Sequence, residues 1–241
     1  MRAFAALTLA IIIVSVSIIT YPAIASDTLS VGVKEGDWIE YDVSVAGTGS
    51  MPPTHDVRWF RMEVLLVQDA AFSVNLTSRY VNGTFGSAIW KFNFTEGNVG
   101  GWIIIPSNLG PGETFYDSWT FFDTREPVNV TIESEEQKTV LGASRTVTYG
   151  NDWLRHKEWD KATGVFVGTV EVYKNVTNRA GWYIEDLTVT VTAVATNMWS
   201  PQILGLNQAT FYTIVTVVVV AVVIVAFAIA VALKKKKFRK R

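Results

Sequence analysis

Apolar and polar residues alternate along most of the chain between residues 26 and 196, and this period of two predicts β-strands. In residues 187–193, Leu, Val and Ala alternate strictly with Thr. Such a strand places one face on a core and the other in water. The same alternation occurs in residues 39–45, 60–66 and 72–76, and Trp90, Phe92 and Phe94 share one face of a further strand.

Short turns separate these segments. Residues 68–71 connect two strands, and Asn82-Gly83 predicts a type I′ hairpin turn because both central residues of that turn need positive φ. Gly164, in a hairpin over residues 159–165, is expected at a left-handed bulge position. The apolar run 101–105 predicts a strand buried on both faces. We therefore predict an all-β, mainly antiparallel domain, arranged as a meander that forms a curved sheet or half-barrel, or closes as a barrel.

The C-terminus has a different pattern. Residues 211–233 are uncharged and almost all Val, Ile and Ala, and as a helix they would be about 35 Å long, enough to cross a hydrocarbon core of about 30 Å. We predict a transmembrane helix over residues 209–233. Seven Lys and Arg lie in the tail, residues 234–241, so the positive-inside rule predicts that the tail is cytoplasmic.

The N-terminus indicates export. Arg2 precedes an apolar stretch over residues 3–19 and the small-residue pattern Ala23-Ile24-Ala25, which is typical of a signal peptide over residues 1–25. An uncleaved N-terminal anchor is the alternative. Both place residues 26–196 outside the cytoplasm as a β-rich domain, joined by a juxtamembrane linker, residues 197–208, to the membrane helix.

Charge supports the same topology. All 22 Asp and Glu lie between Asp27 and Asp186, together with 13 Lys and Arg, so that this span has a net charge of −9 while the tail has +7. An acidic outer domain argues against nucleic acid as a partner. The tail could attract anionic lipid or simply stop translocation. The chain has no cysteine, which excludes thiol chemistry and Cys-bound metals.

Five N-x-S/T sequons are candidates for glycosylation: Asn75, Asn82, Asn93, Asn129 and Asn175. Strand parity puts Asn75, Asn93 and Asn129 opposite apolar neighbours, and Asn82 lies in a turn, so these side chains are expected to face solvent.

No catalytic, cofactor-binding or metal site is predicted. His55 and His156 are the only histidines, and two histidines without cysteine make a poor zinc set. The acidic cluster Glu133, Glu135 and Glu136 is expected at a water-facing hairpin end. Carboxylates brought together from distant strands would leave an extracellular carbohydrate-active enzyme as an alternative.

Nine tryptophans are many for this length. Three are assigned to packing: Trp38, Trp59 and Trp119. Four could line a cavity for an apolar ligand: Trp90, Trp102, Trp159 and Trp182. Trp199 and Tyr212 flank the membrane helix and are expected in the interfacial aromatic belt.

Four segments carry a resemblance to known proteins: residues 36–41, 100–106, 139–147 and 157–165. In this order they resemble uncharacterised archaeal cell-surface proteins, which have a signal peptide, a β-rich ectodomain and one C-terminal helix with a basic end. The resemblance covers nearly the whole chain and implies no activity. The hairpin over residues 159–165 is also similar to hairpins in curved-sheet lipoprotein carriers of the LolA and LppX type, although the chain has no lipobox cysteine.

These features together predict a non-catalytic, single-pass protein of the cell membrane with a glycosylated binding or structural ectodomain outside. Its expected partners are membrane lipid, through the C-terminal helix, and a surface glycan, a protein or an apolar ligand. The alternative is a carrier or receptor that holds an apolar or lipid ligand in a half-barrel cavity.

Overall fold

The computed structural model describes residues 29–49, 56–97, 103–117, 128–151, 155–177 and 183–238. The predicted signal peptide lies outside these residues. The strands are β1 (Trp38–Gly47), β2 (Val57–Gln68), β3 (Ala71–Tyr80), β4 (Phe85–Asn93), β5 (Thr114–Asp117), β6 (Val128–Thr131), β7 (Ser134–Val140), β8 (Ala143–Asn151), β9 (Arg155–Asp160), β10 (Phe166–Thr177), β11 (Tyr183–Thr196), β12 (Gln202–Ile203) and β13 (Leu206–Asn207). One helix, α1 (Gln208–Phe238), follows them.

Nine strands form one sheet in the order β4-β3-β2-β1-β11-β10-β9-β8-β7, and every pairing in it is antiparallel. The predicted all-β, antiparallel meander is therefore confirmed. Strands β4 and β7 are the two edges, so the described strands form an open sheet and not a closed barrel.

The sheet is strongly curved. Strands β11 and β7 are four positions apart, which would be about 19 Å in a flat sheet. A single groove is nevertheless lined by Val140 of β7 and Thr190 of β11. The shared groove indicates that the sheet curls between these strands, which agrees with the curved-sheet form of the prediction.

The core lies on the sheet face that carries the alternating apolar residues. Tyr41 stacks on Phe60 with ring centroids 4.5 Å apart, and its hydroxyl donates to the Phe166 carbonyl oxygen at 2.8 Å. Burial raises the pKa of the Tyr41 phenol well above its ordinary value, so the hydroxyl stays protonated and remains a donor. On β11, Leu187, Val189, Val191 and Ala193 are buried, as their alternation predicts.

The predicted turns occur, with one correction. The β2–β3 turn at Asp69 and the left-handed Gly164 (φ +71°) are confirmed. The hairpin at Asn82-Gly83 is also present, but only Gly83 has positive φ. Four residues separate β3 from β4, so the turn is not the two-residue type I′ turn that was predicted. That turn type occurs instead at Leu141-Gly142, where both φ angles are positive between paired strand ends.

The prediction of a strand over the apolar run 101–105 is wrong for residues 103–105, the part that the structure describes. Ile103, Ile104 and Ile105 are all buried, but their pairing is limited to an isolated bridge between Ile104 and Val165. The segment therefore fills the core as an extended loop. Nearby, Phe115 of β5 packs edge-on against Trp159, with ring centroids 5.9 Å apart.

The helix α1 has 31 residues and is therefore about 46 Å long. It contains the predicted membrane segment and continues through Lys234–Lys237 to Phe238. Its Gln208–Phe227 part has a mean hydropathy of 2.7 and is not buried in the protein. This helix is long and apolar enough to span a membrane. The hydroxyls of Thr213 and Thr216 each donate to the carbonyl four residues earlier, at 2.8 Å, so their polar atoms are satisfied within the helix.

Candidate functional site: the docked juxtamembrane segment

Residues 197–203, which precede the helix, are packed against the sheet. Trp199 has only 9% of its surface exposed, and its indole nitrogen donates to the Val140 carbonyl oxygen at 3.1 Å. The guanidinium of Arg145 lies 4.9 Å from the centre of the Trp199 ring. The prediction that Trp199 belongs to an interfacial aromatic belt is therefore wrong, because its ring is part of the ectodomain core. Tyr212, by contrast, is 59% exposed on the helix.

The β7–β8 turn contacts Pro201 and Gln202 of the segment. The backbone nitrogen of Gln202 donates to the Gly142 carbonyl oxygen at 2.7 Å, and its side-chain oxygen accepts from the Ser144 backbone nitrogen at 3.3 Å. Pro201 lies so close to Gly142 that a Cβ at this glycine would come within 2.9 Å of the Pro201 Cβ. The turn therefore needs glycine both for its conformation and for this contact.

On its other side the segment is tied to β1. The Trp38 backbone nitrogen donates to the Asn197 side-chain oxygen at 2.7 Å, and the Asn197 side-chain nitrogen donates to the Gly36 carbonyl oxygen at 2.9 Å. The Thr196 hydroxyl donates to the Trp38 carbonyl oxygen at 2.6 Å. The predicted linker is thus fastened to two separate parts of the sheet, since β1 and the β7–β8 turn lie far apart in the strand order.

An ion pair between Arg145 and the buried Asp160 lies next to the Trp199 ring. Arg145 donates to both carboxylate oxygens of Asp160, at 2.7 and 2.8 Å, and the Asp160 side chain is only 1% exposed. Thr163 donates to the same carboxylate from its backbone nitrogen at 3.0 Å and its hydroxyl at 2.7 Å. The hydrogen bond to Asp160 raises the pKa of Arg145. Four donors therefore satisfy this buried charge, and the guanidinium is held against the Trp199 ring.

The hairpin β12–β13 connects the docked segment to the helix. Its turn, Leu204-Gly205, has φ angles of +52° and +78° between the paired residues Ile203 and Leu206. Asn207 then accepts from the Thr210 backbone nitrogen at 2.8 Å, which caps the first turn of α1. Hydrogen bonds or strand pairing therefore hold the chain at short intervals from Asn197 to the start of α1.

A groove of about 260 Å³ opens beside this segment, between Val140 and Leu141 of the β7–β8 hairpin and residues 190–193 of β11. Its charged residues are Lys138 and Glu158, which form an ion pair at 2.5 Å. His156 also lines the groove, and its ring stacks on Tyr149 at 5.4 Å. Gly168 and several threonines complete the lining, so the groove is of mixed polarity and its two opposite charges neutralise each other.

Tyr149 is anchored beside the groove by a hydrogen bond from its hydroxyl to Glu136. Burial and this bond raise the pKa of Tyr149 above its ordinary value. Glu135 pairs with Lys161. Two members of the predicted acidic cluster are therefore engaged in side-chain contacts, and Glu133 is exposed.

The candidate cavity tryptophans do not form a common site among the described residues. Trp159 is fully buried against Phe115. Trp90 is half-buried with its ring 6.2 Å from that of Phe92. Trp102, Trp182 and also His55 lie outside the described residues. Neither Trp90 nor Trp159 lines the groove beside the juxtamembrane segment.

The five sequon asparagines differ in exposure. Asn82, Asn129 and Asn175 are exposed, while Asn75 and Asn93 are half-buried. Asn82 accepts from the backbone nitrogen and hydroxyl of Thr84 at 2.9 and 2.7 Å. The Asn93 side-chain oxygen caps the short 3-10 helix Phe94–Glu96, and that of Asn75 accepts from Ser87 at 2.6 Å.

The docked segment is the feature that the sequence did not reveal. Pro201 and Leu204-Gly205 were available as turn signals, but the partners of Trp199 lie more than 50 residues away in the chain. Within the described ranges, no group of three or more His, Asp and Glu side chains is arranged to hold a metal ion. Comparisons with family models, curated proteins and solved structures find no match to this chain.

Proposed function

We propose that this protein is a non-catalytic, single-pass surface protein that holds a β-rich ectodomain close to the outer face of the cell membrane. The observation that carries the proposal is the direct connection between an apolar helix and a docked segment. No residue of the Gln208–Phe227 part of α1 is buried in the protein, and a helix that is apolar all round is stable when its surroundings are apolar too.

Charge supports the orientation. The span from Asp27 to Asp186, with a net charge of −9, precedes the apolar part of the helix in the sequence, and the tail, with +7, follows it. The positive-inside rule then places the tail in the cytoplasm and the sheet outside. The groove beside residues 197–203 is the candidate binding site of the ectodomain, and the exposed Asn82, Asn129 and Asn175 are the sequons at which a glycan fits without disturbing the sheet.

Single cysteines test the topology cleanly because the natural chain has none. Val81→Cys places a thiol in the β3–β4 turn, where Val81 is 47% exposed. Phe238→Cys places one at the last residue of α1 and leaves all seven cations of the tail in place. On intact cells, a membrane-impermeant maleimide should label Val81→Cys, and it should label Phe238→Cys only after permeabilisation.

The unmodified chain is the blank for this labelling, and alkaline carbonate extraction should leave both variants in the membrane fraction. Labelling of Phe238→Cys in intact cells, or extraction of the protein by carbonate, contradicts the proposal. The lipid-carrier alternative receives no specific support from the described tryptophans, because Trp159 is enclosed in the core and Trp90 packs beside Phe92. We therefore propose no second function.

A further inference from the structure

The β12–β13 turn combines two features that are unfavourable in water. Leu204 has 88% of its surface exposed, and its φ of +52° is in the left-handed region. Type I′ turns in water favour Asn-Gly or Asp-Gly, and a left-handed leucine costs about 1–2 kcal/mol of backbone strain. A leucine at this position neither helps the turn nor buries its side chain in the protein.

A second turn of the same kind lies next to it. Leu141-Gly142, between β7 and β8, has φ angles of +51° and +79°, and the Gly142 carbonyl oxygen accepts from Gln202 at the base of the β12–β13 hairpin. Leu141 packs partly against the core. Two Leu-Gly turns therefore meet at the end of the sheet from which the helix departs.

The position of Leu204 along the chain indicates what covers it. It precedes the first residue of α1, Gln208, by four residues, so its Cα is within about 14 Å of the helix start. The apolar run of the helix begins at Phe211, which leaves residues 208–210, about 4.5 Å of helix, within the headgroup region. No charged residue occurs between Asp186 and Lys234, so no side-chain charge in this part of the chain opposes contact with lipid.

From these observations we infer that the Leu204-Gly205 turn inserts into the outer-leaflet interface of the bilayer as a second membrane contact beside α1. The occupant of this exposed apolar turn is the lipid surface itself, because the turn is continuous with the helix that crosses the bilayer. Burial of the leucine side chain among acyl chains accounts for a residue type that solvent would disfavour. This inference rests on the proposed membrane function.

Site-specific fluorescence tests it in the full chain. Leu204→Cys is labelled with an environment-sensitive fluorophore and reconstituted in phosphatidylcholine vesicles. We expect emission at shorter wavelength than from the same label on Val81→Cys, strong quenching by a lipid with a nitroxide near the glycerol, and little quenching by iodide. The Val81 label, at the far end of the sheet, should show the opposite pattern. Thermal unfolding of both variants, followed by tryptophan fluorescence, should match that of the natural chain.

A third label, on Val219→Cys in the middle of the apolar run, separates the two proposals. If deep nitroxide lipids quench the Val219 label while iodide quenches the Leu204 label as fully as the Val81 label, the helix crosses the bilayer and the inference about the turn is overturned. Protection of Leu204 from both quenchers overturns it as well, because protein, such as a second copy of the chain, would then cover the turn. Failure to quench Val219 would contradict the proposed membrane function.

Discussion

Two hairpin turns at opposite ends of the sheet both contain glycine at positive φ, yet their surroundings differ. Strand β1 begins at the near end of the sheet, where Trp38 bonds to Asn197. Because neighbouring strands are antiparallel, β3 runs in the same direction as β1, so the β3–β4 turn lies at the far end. There the Asn82 side-chain oxygen accepts from Thr84 of its own turn, and a Cβ on Gly83 would meet nothing within 4 Å. At the near end, Gly142 is in contact with Pro201 and bonded to Gln202.

This difference shows how each turn satisfies its polar groups. A free turn does so with its own side chains, and polar residues with low strain are then favoured. A docked turn is satisfied by a neighbouring segment and can contain an apolar residue such as Leu141. The near end should therefore contribute tertiary stability that the far end does not, and paired substitutions at the two ends measure that contribution.

Removal of the Trp199 side chain should have the largest effect. Trp199→Ala leaves a cavity in the core and leaves the Val140 carbonyl without its indole partner, so we expect a loss of about 3–5 kcal/mol in the free energy of unfolding. The measurement is thermal unfolding of the full chain in detergent micelles, followed by circular dichroism. Trp59→Ala is the matched control, because Trp59 is only half-buried and lies toward the far end of the sheet, where it pairs with Arg79 near the end of β3. Equal losses in the two variants would contradict a special role for the docked end.

Removal of the Asp160 charge should have the second largest effect on stability. Asp160→Asn removes the ionic partner of Arg145, whose guanidinium then remains partly buried beside the Trp199 ring, and we expect about 3 kcal/mol of destabilisation. Glu135→Gln is the control, since its ion pair with Lys161 is partly exposed and such pairs contribute about 0–1 kcal/mol. Urea unfolding of the full chain in micelles compares the two. If Asp160→Asn proved as mild as Glu135→Gln, the network would not support the docked segment.

The two glycines give the most direct comparison of the turns. Gly83→Ala should cost about 1–2 kcal/mol, the strain of an alanine in the left-handed region. Gly142→Ala should cost about 1–2 kcal/mol more, because its new Cβ would overlap Pro201 and displace the docked segment. Thermal unfolding checks the difference. Limited proteolysis should in addition cut residues 197–207 faster in Gly142→Ala only, and equal cleavage of both variants would contradict the contact.

The strands could be predicted because the alternation of apolar and polar residues along a segment indicates that one of its faces is buried and the other is exposed. Residues 187–193 lie in β11 with the predicted face in the core. The Asn82-Gly83 hairpin was predicted in the right place but with the wrong turn, because loop length depends on where the flanking pairs end, at Arg79 and Phe85. The apolar helix was predictable from composition and length alone.

The docked segment and the groove could not be predicted in this way. Trp199 near an apolar helix has the composition of a membrane-interface residue, and its burial depends on Val140 and Arg145, which tertiary folding brings to it. The groove requires β7 and β11 to approach through the curl of the sheet. Local sequence patterns do not encode such curvature, because it accumulates from strand to strand.

The smallest expected effect is a gain in stability. Leu204→Asn places at the first position of the β12–β13 turn the residue type that a type I′ turn favours, and it relieves part of the strain at φ +52°. The helix α1 keeps the turn at the micelle surface in both the folded and the unfolded chain, so the lost contact with detergent largely cancels, and we expect the free energy of unfolding in micelles to rise by about 0.5 kcal/mol, a fraction of the cost of a left-handed leucine. The reciprocal change, Asn82→Leu at the far turn, should cost about 1 kcal/mol because it removes two hydrogen bonds with Thr84. A loss of stability in Leu204→Asn would mean that the leucine packs on protein, so that the two turns would differ in their packing and not in contact with lipid.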